Sequence, residues 1–407
     1  MGDESPLFRC VSFGRFSGLR PTILDLFISR VHGWNCTMSA APPRLPRYAY
    51  VPTESAARHA KETEDGLYDL LPAEVFWKDR FFFLDGCGYA LRPRYHPDWK
   101  PSWLGTNRDP DFCEDSITLN IPTVIDATRR SDDFRVSIKS IKNNTQELHI
   151  AQYLTDQRSP RNHCVAVLEV MQDPSQPQLA LIFMPYLRPF NDPEFGTVSE
   201  VMEFIRQSLE GLSFLHECRV AHRDIAAANV MMDGRLLYPQ GHHPVRTDHL
   251  PDGANEARPL PRSTCNVRYY FIDFGLSRLF EEGEPTLVLG CTGRDKEIPE
   301  LSNEVPYDAY RADVFALGNL YYKEFLSKYH GLDLIRPLVD MMKWKNPAQR
   351  PTADAAFHIF ESIYSHTDET LLRWRLRSRT ESAPERVVYD TVAVAREGIY
   401  QLRKLIS

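Results

Sequence analysis

The chain has 407 residues, 43% hydrophobic and 25% charged, an ordinary globular composition with enough apolar mass for a sizeable core. Its formal net charge of −7 argues against a nucleic-acid binder, whose phosphate contacts need a basic face. No run of about 18 apolar residues predicts a membrane helix, and the eight scattered cysteines form no Cys-x-x-Cys pair, which argues against a zinc site and suits a reducing compartment.

Residues 1–64 read as a flexible leader, punctuated by Pro42, Pro43, Pro46 and Pro52, with Met1 and Met38 both candidate starts. The apolar stretch 23–28 is short, broken by Asp25 and lacks a signal-peptide layout, so an intracellular location, cytoplasmic or nuclear, is expected. Residues 65–114 form an extension expected to pack on the domain that follows. Val75, Phe76, Phe82 and Phe83 recur at helical spacing and predict one amphipathic helix over 72–84. Pro93, Pro97, Trp99 and Pro101 suit an ordered, docked loop.

From residue 115 the pattern turns to short β-rich runs at 116–120, 123–127, 134–141, 164–171 and 179–186, interrupted by a helical stretch at 145–154. After Pro193 the chain becomes mainly helical. Thr197-Val-Ser-Glu200 has the form of a capping box ahead of Val201, Phe204, Ile205, Leu209, Leu212 and Leu215 on one face. Residues 239–266, rich in Pro, Gly, His and Asp, are too long for an ordinary connection and read as a disordered surface insertion. More helices follow, with a charged helical tail over 364–407.

The chemistry concentrates in the second half. His222-Arg-Asp224-Ile-Ala-Ala-Ala-Asn229 places a carboxylate where a hydroxyl nucleophile needs orienting, and an amide oxygen one loop turn later where a metal ion needs holding. A helix-terminating loop can carry His-Arg-Asp by chance. Tyr269-Tyr-Phe-Ile-Asp273-Phe-Gly275, a β-like run ending in Asp-Phe-Gly, is a second independent match in the right order. Ile298-Pro299-Glu300, Asp313-Val-Phe-Ala-Leu-Gly318 and Asn346-Pro-Ala-Gln-Arg350-Pro351 follow. Each alone reads equally as a helix cap or a surface ion pair; the series is specific.

Over about residues 115–363 this series resembles the eukaryotic-type protein kinase superfamily. The flanks Glu74-Val-Phe-Trp77 and Gly88-Tyr-Ala-Leu-Arg-Pro-Arg-Tyr95 resemble kinase-like proteins of mushroom-forming fungi. The resemblance implies an α+β, two-lobed fold: a small β-rich N-lobe (115–187) with one key helix, and a larger, mainly helical C-lobe (188–363). It implies ATP and Mg²⁺ as cofactors and Asp224 as catalytic base, with Asn229 and Asp273 as metal ligands. Lys139, closing Val136-Ser-Ile-Lys139, is implied on the α- and β-phosphates, paired with Glu147; the plain alternatives are a solvated lysine and an exposed helix glutamate. Met184 is implied as gatekeeper, with the Pro185 carbonyl and the Leu187 N–H facing adenine. His222, Arg223, Gly275, Glu300, Asp313 and Arg350 take structural roles, Asp313 tying down the catalytic loop and Arg350 pairing with Glu300.

Two departures bear on activity. The stretch 117–127, where a glycine-rich phosphate loop is expected, has no glycine and reads as a plain β-hairpin over the site. Ala226, Ala227 and Ala228 stand where active kinases carry a cation, and losing one donor aimed at transition-state charge costs on the order of 10²–10³ in rate. Arg294 and Lys296 are candidate substitutes. Two readings therefore stand: an ATP-dependent kinase acting on a protein Ser/Thr hydroxyl, and a pseudokinase scaffold or nucleotide-binding module. Transfer to a small molecule is a third, disfavoured by the Pro-Glu, Asp313 and Arg350 series. Thr286 and Thr292 lie where activation-segment phosphorylation occurs. No nucleic-acid or membrane partner is expected; the protein substrate and the oligomeric state stay open.

Overall fold

The computed structural model describes residues 45–406. Residues 1–44, with most of the expected leader and both candidate starts, lie outside the described residues.

The remainder of that leader is ordered, which corrects the expectation. A short turn at Arg47–Ala49 leads into helix α1 (Thr53–Glu64), with Pro52 at its N-cap. Proline is tolerated there because that N–H has no helical partner to lose. Trp103 Nε1 donates to the Thr63 hydroxyl at 2.9 Å and Val51 N–H to Asn107 O at 2.9 Å, so this segment is tied to the extension.

The single helix expected over 72–84 is two, α2 (Pro72–Lys78) and α3 (Phe81–Gly86). They part at Asp79–Arg80, where the Arg80 guanidinium turns inward onto the Asp173 carboxylate at 2.5 and 3.0 Å. Trp77 and Leu84 face one core, so the apolar spacing runs on across the break.

The extension also supplies strand β1 (Tyr89–Ala90), followed by β2 (Val124–Arg129) and β3 (Phe134–Lys142). Helix α4 (Gln146–Asp156), β4 (Glu169–Gln172) and β5 (Leu179–Pro185) complete the small lobe. The sheet is antiparallel, in the order β1-β2-β3-β5-β4, with Tyr89 opposite Arg129, Val124 opposite Lys139, and Val136 opposite Pro185. The β-hairpin expected within 117–127 is absent, because β2 pairs with β1 and β3 instead. The expected run 164–171 reduces to β4, with Cys164 making only an isolated bridge to Phe271. Trp77, Leu84, Tyr89, Leu91 and Tyr95 cover one sheet face, packing on Ile125, Val136, Ile138 and Phe183.

The large lobe begins with β6 (Arg188–Pro189) and α5 (Val198–Glu217), whose buried stripe holds Val201, Phe204, Ile205, Leu209, Leu212 and Leu215. The capping box does not form. Thr197 makes no side-chain cap, and Glu200 instead accepts the N–H groups of Gly196 at 2.6 Å and Ser263 at 3.1 Å. Strands β7 (Val220–Ala221), β8 (Val230–Met232), β9 (Tyr269–Phe271) and β10 (Arg278–Leu279) frame the catalytic loop, β8 pairing with β9 and β7 with β10. Then come β11 (Leu287–Gly290) and β12 (Ser302–Asp308), paired as an antiparallel ribbon, and helices α6 (Ala309–Tyr321), α7 (Arg336–Met342) and α8 (Ala353–Ser365). Leu317, Tyr321, Leu338 and Phe360 meet α5 in the main core.

The insertion 239–266 is ordered, again against expectation. His243 is buried with its Nε2 3.3 Å from Glu114 Oε1, and Arg262 is buried with Nη2 donating to Phe190 O at 2.8 Å. Asp252 accepts the N–H groups of Ala254 and Asn255 at 2.9 Å, so the Pro, Gly, His and Asp content builds turns and buried polar contacts rather than a solvated loop. The tail holds α9 (Glu369–Arg373) and the expected helix, α10 (Ala383–Ile406), fastened by Arg375 to Asp390 and by Arg373 to Glu397. No helix among the described residues is long and apolar enough to cross a membrane.

Candidate active site

Side chains alternate across β3, so while Val136 and Ile138 enter the core, Lys139 points to the opposite face, toward α4. Its Nζ lies 2.5 Å from Glu147 Oε1 and 3.0 Å from Asp273 Oδ1. Burial alone would lower the Lys139 pKa, but the Glu147 and Asp273 carboxylates outweigh it and hold the ammonium above its ordinary value. Burial would likewise raise Asp273, and Lys139 outweighs it, leaving that carboxyl below the usual range. Asp273 has a left-handed backbone (φ 65°), uncommon for a residue with a side chain, and its carboxylate caps the turn that follows. At Gly275 a Cβ would stand 3.2 Å from Asp273 Oδ1 and 3.5 Å from Glu147 Oε2, so glycine leaves room for the carboxylates to converge on Lys139.

Asp313, buried on α6, fixes the catalytic loop through its backbone: His222 N–H donates to Oδ2 at 2.8 Å and Arg223 N–H to Oδ1 at 2.7 Å. The buried His222 ring contacts Ile272 O at 3.1 Å, and burial depresses its pKa. Asp224 presents both carboxylate oxygens to neighbours. Asn229 Nδ2 donates to Oδ2 at 2.8 Å and to the Asp224 carbonyl at 2.8 Å, and Arg294 N–H donates to Oδ1 at 2.6 Å. Of the two candidate cations, Arg294 brings its guanidinium Nε within 3.5 Å of Asp224 Oδ2, whereas Lys296 turns its ammonium onto the Cys291 carbonyl. Glu300 and Arg350 meet at 2.5 and 2.8 Å.

Met184 and Pro185 end β5 and Leu187 follows; Met184 and Leu187 pack half-buried on the main core. Sequence reasoning missed what surrounds them. The Tyr186 hydroxyl donates to Pro244 O at 2.8 Å, and Arg135 Nη1 to His242 O at 2.5 Å, so the insertion docks beside this segment. It also missed that β1 and β2 are joined by the whole of 91–123. The glycine in that connection is Gly105, and Trp77 Nε1 and Arg92 Nη1 hold its returning end by the carbonyls of Pro122 (3.2 Å) and Ile117 (3.0 Å). The one sequence signal for β1 was the Tyr-Ala pair directly after Gly88.

The donor set fits Mg²⁺. The Asn229 amide nitrogen is spent on Asp224, and the Asn229 amide oxygen and the Asp273 carboxylate are oxygen donors of the kind Mg²⁺ takes. No cluster of three or more His, Cys, Asp or Glu suited to a metal occurs among the described residues. Few protein ligands suit Mg²⁺, which keeps waters and takes substrate phosphates as its remaining ligands.

A sequence model described as "Protein kinase domain" matches residues 120–332, more than half the chain. The chain belongs to the protein kinase family. The small sheet lobe and the larger helical lobe are therefore the two lobes of an α+β protein kinase fold, and the family in general uses ATP and Mg²⁺. Among curated proteins the kinase is similar to NUAK family SNF1-like kinase 2 of Homo sapiens, 25% identical over 206 residues, covering 48% of this chain and 27% of that protein. It is also similar to serine/threonine-protein kinase chk1 of Schizosaccharomyces pombe, 24% identical over 164 residues, covering 40% and 26%. The kinase thus spans about a quarter of the length of these relatives.

Proposed function

We propose that this kinase transfers the γ-phosphoryl group of ATP to a serine or threonine hydroxyl of a protein. The observation that carries the reading is the Lys139 ammonium held between Glu147 and Asp273. It joins β3, α4 and the Asp-Phe-Gly turn in the arrangement phosphoryl transfer requires. The likeness to serine/threonine-protein kinase chk1 supports a Ser/Thr acceptor.

In this reading Lys139 orients the α- and β-phosphates, and Glu147 keeps its ammonium in place. Asn229 and Asp273 hold Mg²⁺, which neutralises phosphate charge. Met184, Pro185 and Leu187 line the adenine side. The acceptor hydroxyl oxygen bonds to the γ-phosphorus, the bond from that phosphorus to the β,γ-bridging oxygen breaks, ADP leaves, and the hydroxyl proton passes to Asp224. Asp224→Asn keeps the shape but removes the acceptor charge and one of the two oxygens that accept from Asn229 Nδ2 and Arg294 N–H. It should abolish transfer while Mg²⁺-dependent ATP binding, followed by titration calorimetry, persists. Unchanged transfer in that variant would sink the assignment.

A second reading, a scaffold without turnover, draws on the glycine-poor β1–β2 connection and on Asp224 having both oxygens engaged. It predicts no heat of ATP binding at millimolar nucleotide, with or without Mg²⁺.

A further inference from the structure

We propose that Arg294 is a catalytic residue, supplying from the activation segment the cation that the catalytic loop lacks; the inference rests on the kinase reading above. Three alanines, Ala226 to Ala228, follow the base closely and offer only methyl groups to a transferring phosphoryl. The other nearby cations are committed elsewhere: Lys139 to Glu147 and Asp273, Arg223 through Nη2 to Leu289 O at 2.8 Å, and Lys296 to the Cys291 carbonyl.

Arg294 is placed by its own backbone. Its N–H donates to Asp224 Oδ1 at 2.6 Å, which fixes the start of the side chain against the base. That approach depends on Gly293, where a Cβ would stand 2.7 Å from the Arg223 carbonyl. The next residue is anchored too, since Asn319 Nδ2 donates to both Asp295 carboxylate oxygens at 2.9 and 3.0 Å. The backbone around Arg294 is therefore held on both sides while its side chain is exposed to solvent. That side chain is 57% exposed, against 10% for Asp224, and its Nε rests 3.5 Å from Asp224 Oδ2.

A guanidinium at that distance is drawn toward a phosphoryl dianion bound over the base, and turns to it without any backbone movement. Its planar fork can then take two equatorial oxygens of the transferring group, over which the transition-state charge is spread. Nothing is consumed, and Asp224 still receives the hydroxyl proton. The competing role for the same contact is a mask, in which Arg294 merely neutralises Asp224 until substrate arrives.

The test uses the full chain, γ-labelled ATP with Mg²⁺, and a degenerate Ser/Thr peptide library as acceptor. Arg294→Ala should lower kcat by about 10²–10³-fold, while calorimetry finds Mg²⁺-ATP affinity unchanged. Adding guanidinium ion should recover part of the rate in Arg294→Ala and none in Asp224→Asn. Ala226→Lys, placed two residues after the base, should restore transfer in the Arg294→Ala background. An Arg294→Ala enzyme as fast as the parent, or faster, overturns the proposal and leaves the kinase reading standing. A silent parent that Ala226→Lys awakens also overturns it alone. Parent and Ala226→Lys both silent overturn the proposal and the kinase reading together.

Discussion

Arg350 grips Glu300 through both terminal guanidinium nitrogens, at 2.5 and 2.8 Å, across 50 residues of chain. The arginine side chain is fully buried and also donates to the carbonyls of Trp344 and Arg311, so the pair fastens the end of the activation segment to the loop before α8. Glu300→Ala leaves a buried cation with two carbonyls and no counter-charge. Breaking a buried pair from one side costs about 3–5 kcal/mol, and urea denaturation of the variant should register a loss of that order. A loss below about 1 kcal/mol would put the pair in the class of exposed ion pairs and deny it a structural role.

The extension should prove inseparable from the small lobe. Trp77, Leu84, Tyr89, Leu91 and Tyr95 form one face of the core whose other face is the sheet, and the buried Arg80–Asp173 pair joins the α2–α3 break to the chain between β4 and β5. Removing a buried tryptophan side chain costs about 3–5 kcal/mol. Trp77→Ala should lower the unfolding free energy accordingly, and a chain begun at residue 115 should fail to fold. A soluble, cooperatively melting fragment from 115 onward would show that the extension is only an addition.

What the sequence could and could not disclose follows a physical line. Lys139 with Glu147, and Glu300 with Arg350, were legible as partners because each stands in a motif of the family resemblance; that Asp273 joins Lys139 was not legible. The two-residue strand β1 was not, since Tyr89–Ala90 is too short to carry a period. Order in the insertion was hidden because its contacts are polar and distant, as with His243 and Glu114, 129 residues apart. The capping box failed for a related reason: Glu200 finds a donor in Ser263, 63 residues on, and only the folded chain brings it there. Arg294 and Lys296 were equal candidates until the backbone placed one at Asp224 and turned the other away.

The insertion should make stability fall in mild acid. Burial pushes the His242 imidazole down to about 4, assisted by the Arg188 and Arg135 guanidinium groups, with Asp192 opposing. The ring is packed against Tyr186 and Tyr238, and its Nδ1 lies 3.0 Å from His243 O. Between the ordinary histidine value and about 4, the unfolded chain binds this proton and the folded one does not. The contribution is therefore complete above about pH 6.5 and is lost as pH falls toward 4, on the order of 3 kcal/mol in all. Burial depresses His222 too, so parent and variant must be compared. His242→Phe should have a visibly shallower loss of stability between pH 7 and pH 4.5 in urea titrations; identical slopes would remove His242 as the source.

Activity should not wait on a phosphate in the activation segment. A kinase switched by phosphorylation leaves its loop unordered until a new phosphate–arginine pair forms. Here the Arg223 guanidinium already donates to Leu289 O at 2.8 Å, the Tyr307 hydroxyl donates to Gly290 O at 2.6 Å, and β11 is paired with β12. The N–H of Ala309, at the head of α6, donates to Thr286 O at 2.9 Å and closes the other end of the ribbon. The segment is thus held by contacts within the protein, with Arg223 engaged by a carbonyl where a phosphate would otherwise pair. Enzyme treated with phosphatase and then freed of it should transfer phosphate to the peptide library at the same rate as untreated enzyme. A drop of tenfold or more, restored by incubation with ATP, would mean that the ribbon is not sufficient and that Arg223 exchanges Leu289 for a phosphate.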